Sequence, residues 1–174
     1  GVRSSTDSYT AVRIAVTTAR MIAEAVGCAV AGVPTAEVAA RAYARRGAQP
    51  ARFAVALASK NESAWVTVYD AASAASQPAW TPEVPGAVMT TDELAALHAE
   101  SPIAALIGDR HLPESFRAWA ASSGATVEPL ELSAVECLRA ATAAPTLDPL
   151  HLAPLYPREP DAVTLWRQRH GDGR

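Results

Sequence analysis

Two alternating apolar runs, RFAVALA at 52–58 and AWVTVYD at 64–70, constrain this chain more than any other feature. Such alternation is the period-two signature of strands, and the polar residues Lys60, Asn61 and Glu62 between them supply the turn. A β-hairpin is therefore predicted over 52–70. The remaining periodic segments are helical or short and apolar, so the hairpin must belong to an α/β domain rather than to an all-β one.

Upstream of the hairpin, residues 11–26 read as a helix and Cys28–Val33 as a short buried strand. Pro34 and Thr35 open a second helix running to about Arg45. RRGAQP at 45–50 has the composition of a linker. Downstream, 71–90 reads as loop or edge strand ending in PGAVMT, and Thr90 with Glu93 forms a capping box that starts the helix DELAALHAE. IAALIGD at 103–109 reads as a buried strand. PESFRAWAASSG reads as a helix with Pro113 in its first turn and Gly124 at its end, and Ser133 with Glu136 forms a second capping box. The expected architecture is two lobes with a mixed sheet in each. Residues 1–50 form a first, helix-strand-helix lobe, and residues 51–174 a second α/β lobe with a C-terminal tail. Val55, Leu57, Val66, Val68, Ile103, Leu106 and Ile107 are the predicted core of the second lobe.

Composition excludes several classes. With 49% hydrophobic and 19% charged residues, the chain has the balance of a folded domain rather than a disordered one. A net charge of −3 provides no general attraction to nucleic acid or to an anionic membrane, so any RNA contact is expected through a partner. No apolar stretch approaches the ~18 residues of a membrane span and none reads as a signal peptide, so a cytoplasmic location is expected. Cys28 and Cys137, far apart in apolar contexts, read as buried free thiols.

On the helix 11–26, taken at about 100° per residue, Val12, Ala15, Val16, Ala19, Ile22, Ala23 and Val26 fall on one face. This is the expected core face. Arg13, Thr17, Arg20 and Glu24 form a polar stripe beside it. Ile14, Thr18, Met21 and Ala25 form a second, narrower apolar strip. A helix with two apolar sides has two neighbours, and the second is either another element of the same chain or a second subunit.

Residue patterns for catalysis are sparse. His98, His111, His151 and His170 are scattered, with no pair at the spacing of a helical metal site, so no metal is expected. No nucleophile elbow, P-loop or dinucleotide fingerprint occurs, and neither ATP binding nor any cofactor is expected. Asp109 follows the strand ALIG, where α/β folds often place ligand groups, but it reads more simply as a loop residue beside Arg110. Trp65, Trp80, Trp119 and Trp166 read as packing anchors, since no basic residues interleave with them. Arg158, Arg167 and Arg169 read by default as a solvated C-terminal helix, with contact to RNA or a partner as the alternative.

The stretch SYTAVRIA, followed by an Ala-rich helix and VAGVPTAEVAA, resembles the segment G-P-G-S-F-T-G-[LV]-R-I-G and the strand and helix after it in the TsaB (YeaZ) family. ALASKNESAWVTVYD, ALIGD and LHLAPLYPREPDAV are similar to that family's hairpin, its VGDG strand and its closing tail, in the family's order. Ser8, Tyr9, Thr10 and Arg13 occupy the motif loop, with Val12 and Ile14 also matching. The motif's glycines are replaced by Asp7, Ala11 and Ala15, and its proline by Thr6. Those losses remove the backbone freedom of a glycine-rich loop, and Asp7 or Ser8 is expected to cap the helix instead.

The resemblance implies an actin/Hsp70-like (ASKHA, ribonuclease H-like) two-lobe fold whose first lobe is incomplete, the family's first strands being absent from this sequence. It also implies a non-catalytic subunit. TsaB-like proteins pair with the homologous catalytic subunit TsaD, which carries out threonylcarbamoyladenosine modification of tRNA, and the ATPase TsaE joins the complex. The implied pairing surface is the helix after the motif, here the strip Ile14, Thr18, Met21 and Ala25; a homodimer through the same strip is the related expectation. A peptidase-like enzyme or an independent small-molecule binder is the alternative.

Overall fold

The computed structural model describes residues 6–47, 52–71 and 80–156, together with positions 166 and 169. A long helix α1 (Thr6–Val26) and a shorter α2 (Thr35–Ala44) precede the hairpin β1 (Arg52–Ala58) and β2 (Ala64–Asp70). Then follow β3 (Val84–Met89), α3 (Thr91–Glu100), β4 (Ala105–Gly108), α4 (Glu114–Ser123), β5 (Thr126–Pro129), α5 (Ala134–Ala143) and a 3₁₀ turn at Pro149–His151.

The strands make one five-stranded sheet in the order β3-β2-β1-β4-β5. β1 pairs antiparallel with β2, the predicted hairpin, in a register that places Phe53 opposite Tyr69 and Ala56 opposite Val66. At the turn, Asn61 and Glu62 adopt left-handed φ values of 56° and 51°. The Ser63 hydroxyl donates to the Lys60 carbonyl at 2.5 Å, closing the loop. β2 pairs antiparallel with β3, whereas β4 lies parallel to both β1 and β5. All four residues of β4 are buried, as expected of a parallel strand covered on both faces.

Side-chain alternation along the strands divides the core into two layers. Ala54, Ala56, Val66, Val68 and Leu106 face one side, where Leu94 of α3 and Phe116 of α4 cover them. Phe53, Val55, Tyr69, Ala105 and Ile107 face the other, covered by Ala36, Ala39, Ala40 and Tyr43 of α2. Burying each large side chain of these layers contributes about 1.5–3 kcal/mol. Phe53 stands edge-on to Tyr43 at 5.1 Å and stacks on Tyr69 at 5.8 Å. Desolvation pushes the Tyr69 hydroxyl well above the ordinary tyrosine pKa, and the Glu37 carboxylate pushes it the same way.

Of the predicted core residues, Val55, Val66, Val68, Ile103, Leu106 and Ile107 are buried, and Leu57 is half-buried against the α2 layer. The boundary expected at residue 50 falls between α2 and β1, two elements that share one core layer. Arg52, the first residue of β1, is itself buried. Its guanidinium pairs with Glu83 at 3.0 Å and donates to the carbonyls of Leu97 and Ser101, tying β1 to the approach to β3 and to the end of α3.

Several expectations are corrected. Cys28–Val33 forms no strand; it contributes only a bridge between Val30 and Leu147, so among the described residues there is one sheet rather than one in each lobe. Cys28 and Cys137 are free thiols but exposed, not buried. Cys137 lies on the outer side of α5 because the helix turns Glu136 and Ala140 inward, where Arg45 and Arg139 pair with the Glu136 carboxylate at 2.7 and 2.6 Å. That pairing also leaves the second capping box half formed. The Ser133 hydroxyl accepts from the Glu136 amide, but the Glu136 side chain points to the arginines. The first box, Thr90 with Glu93, is complete.

Candidate partner-binding surface

Helix α1 begins at Thr6, so the motif residues Ser8, Tyr9, Thr10 and Arg13 lie on helix and not in a loop. The physical reason is the exchange of glycine for Ala11 and Ala15, residues that favour helix by about 1 kcal/mol each. The side chains of Ser8 and Tyr9, and the capping expected of Asp7 or Ser8, lie outside the described residues. Thr10 and Arg13 are exposed.

The body of the protein covers little of α1. Ala23 is its single buried side chain among those described, flanked by half-buried Val16, Ala19 and Arg20. The expected core face is therefore corrected: Val12, Ile22 and Val26 are exposed, the last by 74%. Placed on the helical wheel, the inward side is turned by roughly 60° from the centre of that face. No strand forms at 28–33 to cover that face, and among the described elements the 3₁₀ turn is the main neighbour of the helix.

Ile14, Thr18, Met21 and Ala25 lie on the side of α1 roughly 180° from Ala23. All four are exposed, Ile14 by 61% and Met21 by 67%. Beside them a shallow open groove of about 540 Å³ runs between α1 and the 3₁₀ turn, lined by Thr17, Arg20, Met21, Glu24, Ala25 and Leu150. Leu150 was not singled out in the sequence, and its role as a groove wall follows only from the turn that Pro149 begins. The strip has the composition of a contact surface: adaptable Met, one branched aliphatic residue and two small residues that permit close approach.

Elsewhere the candidate groups are committed to structure. The Asp109 carboxylate accepts from the backbone amides of Ala58 at 3.0 Å and His111 at 2.8 Å, fixing the loop after β4 to the end of β1. Glu62 in the hairpin turn accepts from Ser115 at 3.1 Å. His98 accepts from the Ile103 amide at 3.1 Å and stands edge-on to Trp119. Trp80 lies under the Arg41 guanidinium, 5.6 Å from its ring centre, and Trp65 packs on Gly86. Trp166 and Arg169 are exposed; Arg158, Arg167 and His170 lie outside the described residues. Among the described residues no group of three His, Cys, Asp or Glu could hold a metal ion, and no helix is long and apolar enough to cross a membrane.

A second exposed apolar patch escaped the sequence reading. Leu132, Val135 and Leu138 project outward around α5, close in sequence to Val127 of β5. The spacing of Val135 and Leu138 on one helix side was the available signal, and it is indistinguishable in sequence from a core-facing pair.

No protein-family model matches the sequence, and no curated protein matches it. Among solved structures, the chain is similar to one from Pseudomonas aeruginosa described as an uncharacterized protein with similarity to peptidase YeaZ. The TM-score is 0.63 and the identity 20%, over 86% of this chain and 68% of that one. At that identity the likeness is one of fold: a mixed five-stranded sheet with helices on both faces, in the arrangement of a YeaZ-like protein.

Proposed function

We propose that this chain is a non-catalytic, TsaB-like subunit that pairs with a TsaD-like catalytic subunit for threonylcarbamoyladenosine modification of tRNA. The observation that carries the reading is the outward apolar strip of α1, where Ile14 and Met21 are more than half exposed on the side away from the protein body. Exposed apolar surface of this kind is covered by association. The YeaZ-like fold and the ordered motif resemblance support the same reading. tRNA is reached through the partner, since a net charge of −3 offers no electrostatic grip on phosphate, and a TsaE-like ATPase completes the assembly.

Co-expression with a TsaD-like subunit and affinity capture tests the reading. Thr18→Arg places a long charged side chain at the centre of the strip and is expected to weaken pairing by about 30-fold or more, with the circular dichroism and melting of the chain unchanged. Ala23→Arg, on the buried side of the same helix, is the control that should damage the fold. Full retention of the partner by Thr18→Arg would overturn the proposal. The word peptidase in the neighbour's description favours one alternative, a peptidase-like enzyme. Hydrolysis of a fluorogenic peptide library that co-elutes with the purified chain through two orthogonal chromatography steps would support it.

A further inference from the structure

The body of the protein buries none of the described residues in the first half of α1. From Thr10 to Ala15 every residue is exposed, Val12 by 43% and Ile14 by 61%, so solvent surrounds the helix there. The residues that hold α1 to the body, half-buried Val16, Ala19 and Arg20 and buried Ala23, all lie further along the chain.

The sequence of the exposed stretch does not make up for the missing cover. Thr10, Val12 and Ile14 are β-branched, and each is less favourable for extending a helix than alanine by a factor of about two to three, because the preceding turn restricts its side chain. Together the three weigh against the helical form by a factor of about ten or more, and extension through Ala11 and Ala15 is close to neutral. Helical hydrogen bonds with few buried neighbours are the ones a protein opens most readily. The anchored half from Val16 onward supplies the nucleus, so the first half opens and closes against a fixed end. The apolar strip crosses that boundary. Ile14 belongs to the uncovered half, and Thr18, Met21 and Ala25 to the anchored half. A partner that covers the whole strip needs the first half closed.

We infer that Thr10–Ala15 is a conditional helix, open for most of the time in the chain alone and closed by the partner that covers Ile14, so that binding is coupled to folding. The structure shows the closed form, the one competent to bind. With a closed fraction of about a tenth or less, the partner's apparent affinity falls about tenfold or more below that for a permanently closed helix. Val12 becomes a control point, because it lies roughly 150° from the centre of the strip and a change there alters the opening balance without touching the contact. The identity of the partner rests on the function proposed above; the opening of the helix does not.

Hydrogen exchange of the 174-residue chain alone, followed amide by amide, tests the opening. The amides of Thr10–Ala15 should exchange within about threefold of the unstructured rate, while those of Arg20–Val26 are protected by about tenfold or more. Equal protection of the two sets would overturn the inference. Proline in a closed helix interior removes a hydrogen bond and clashes with the preceding turn, which raises the unfolding constant by about a hundredfold. Val12→Pro should instead change unfolding in urea by less than about fivefold, since the segment it breaks is already open; a larger increase refutes the open state. With a TsaD-like subunit, Val12→Pro should weaken capture by about 30-fold or more and Val12→Ala should tighten it by about two- to threefold, and the wild-type complex should protect the amides of Thr10–Ala15. Capture that ignores Val12→Pro, or that leaves those amides unprotected, would overturn the coupling. Failure of the wild type to capture the subunit refutes the partner reading alone, and the measurements on the free chain still decide whether the helix is conditional.

Discussion

Gly86 lies on the edge strand β3, directly against the indole of Trp65 on the neighbouring β2. A Cβ added there would lie 2.4 Å from Nε1, 2.5 Å from Cε2 and 2.6 Å from Cζ2 of that ring. These atoms belong to a rigid bicycle and not to a flexible side-chain end, so Gly86→Ala must displace either the ring or the strand. Overpacking of this kind costs about 1–3 kcal/mol. Alanine in a strand is otherwise preferred over glycine by about 0.5–1 kcal/mol, because glycine loses more freedom on folding. The net expectation is a destabilisation of about 1–2 kcal/mol, a fall in melting temperature of about 2–8 °C for a chain of this size. Chemical denaturation and tryptophan emission both report it. The decisive comparison is the same substitution in a Trp65→Val background, where the obstructing ring is gone. There Gly86→Ala should become neutral or stabilising, and the interaction between the two sites in a double-mutant cycle should account for the difference. A penalty of equal size in both backgrounds would refute the steric argument.

Arg52→Ala should cost about 1–3 kcal/mol in urea unfolding, because it removes the buried guanidinium that pairs with the half-exposed Glu83 carboxylate and donates to the carbonyls of Leu97 and Ser101; the absence of any measurable loss would contradict the role given to Arg52. Glu93 is held below the ordinary glutamate value of 4.5 by hydrogen bonds from the Thr90 backbone amide and then the Thr90 hydroxyl. Its contribution to the start of α3 is therefore fully present above pH 4.5 and lost as pH falls through the lowered folded value, which exchange protection of the Thr90 amide should follow in wild type and not in Glu93→Ala.

The hairpin was legible because three independent signals coincided: alternation in both strands, a polar three-residue turn and β-branched or aromatic residues at the paired positions. The caps at Thr90 and Gly124 were legible for a similar reason, since each depends on one or two side chains and a local backbone geometry; Gly124 indeed takes the left-handed conformation that ends α4. The orientation of α1 was not legible. Apolar residues surround most of that helix, and which of them turn inward depends on what packs there, which among the described elements is chiefly the 3₁₀ turn and not a strand at 28–33. The run Cys28–Val33 failed for the complementary reason: six small or apolar residues are enough for a strand only if a partner strand supplies the hydrogen bonds. Glu136 defeated the reading of α5. Its place three residues after Ser133 reads as a capping box, yet two arginines from different segments draw its carboxylate away, and Glu136 turns inward while Cys137, Val135 and Leu138 face solvent. Spacing alone set Ile14, Thr18, Met21 and Ala25 apart as a strip of their own, and all four are exposed, whereas no sequence signal said that the residues of the expected core face beside them would be exposed as well.

The two outer strands of the sheet bear on how the molecule can aggregate. β3 carries Pro85 as its second residue, which has no amide hydrogen to offer a docking strand, and β5 is only four residues long and ends in Pro129. An incoming extended chain from another molecule therefore finds neither edge able to continue the ladder for more than a few residues. Concentrated samples should accordingly resist conversion to fibrils seeded from the folded state, even though α1 and α5 present so much apolar surface, and any loss of material on ageing should begin with amorphous, helix-retaining clusters.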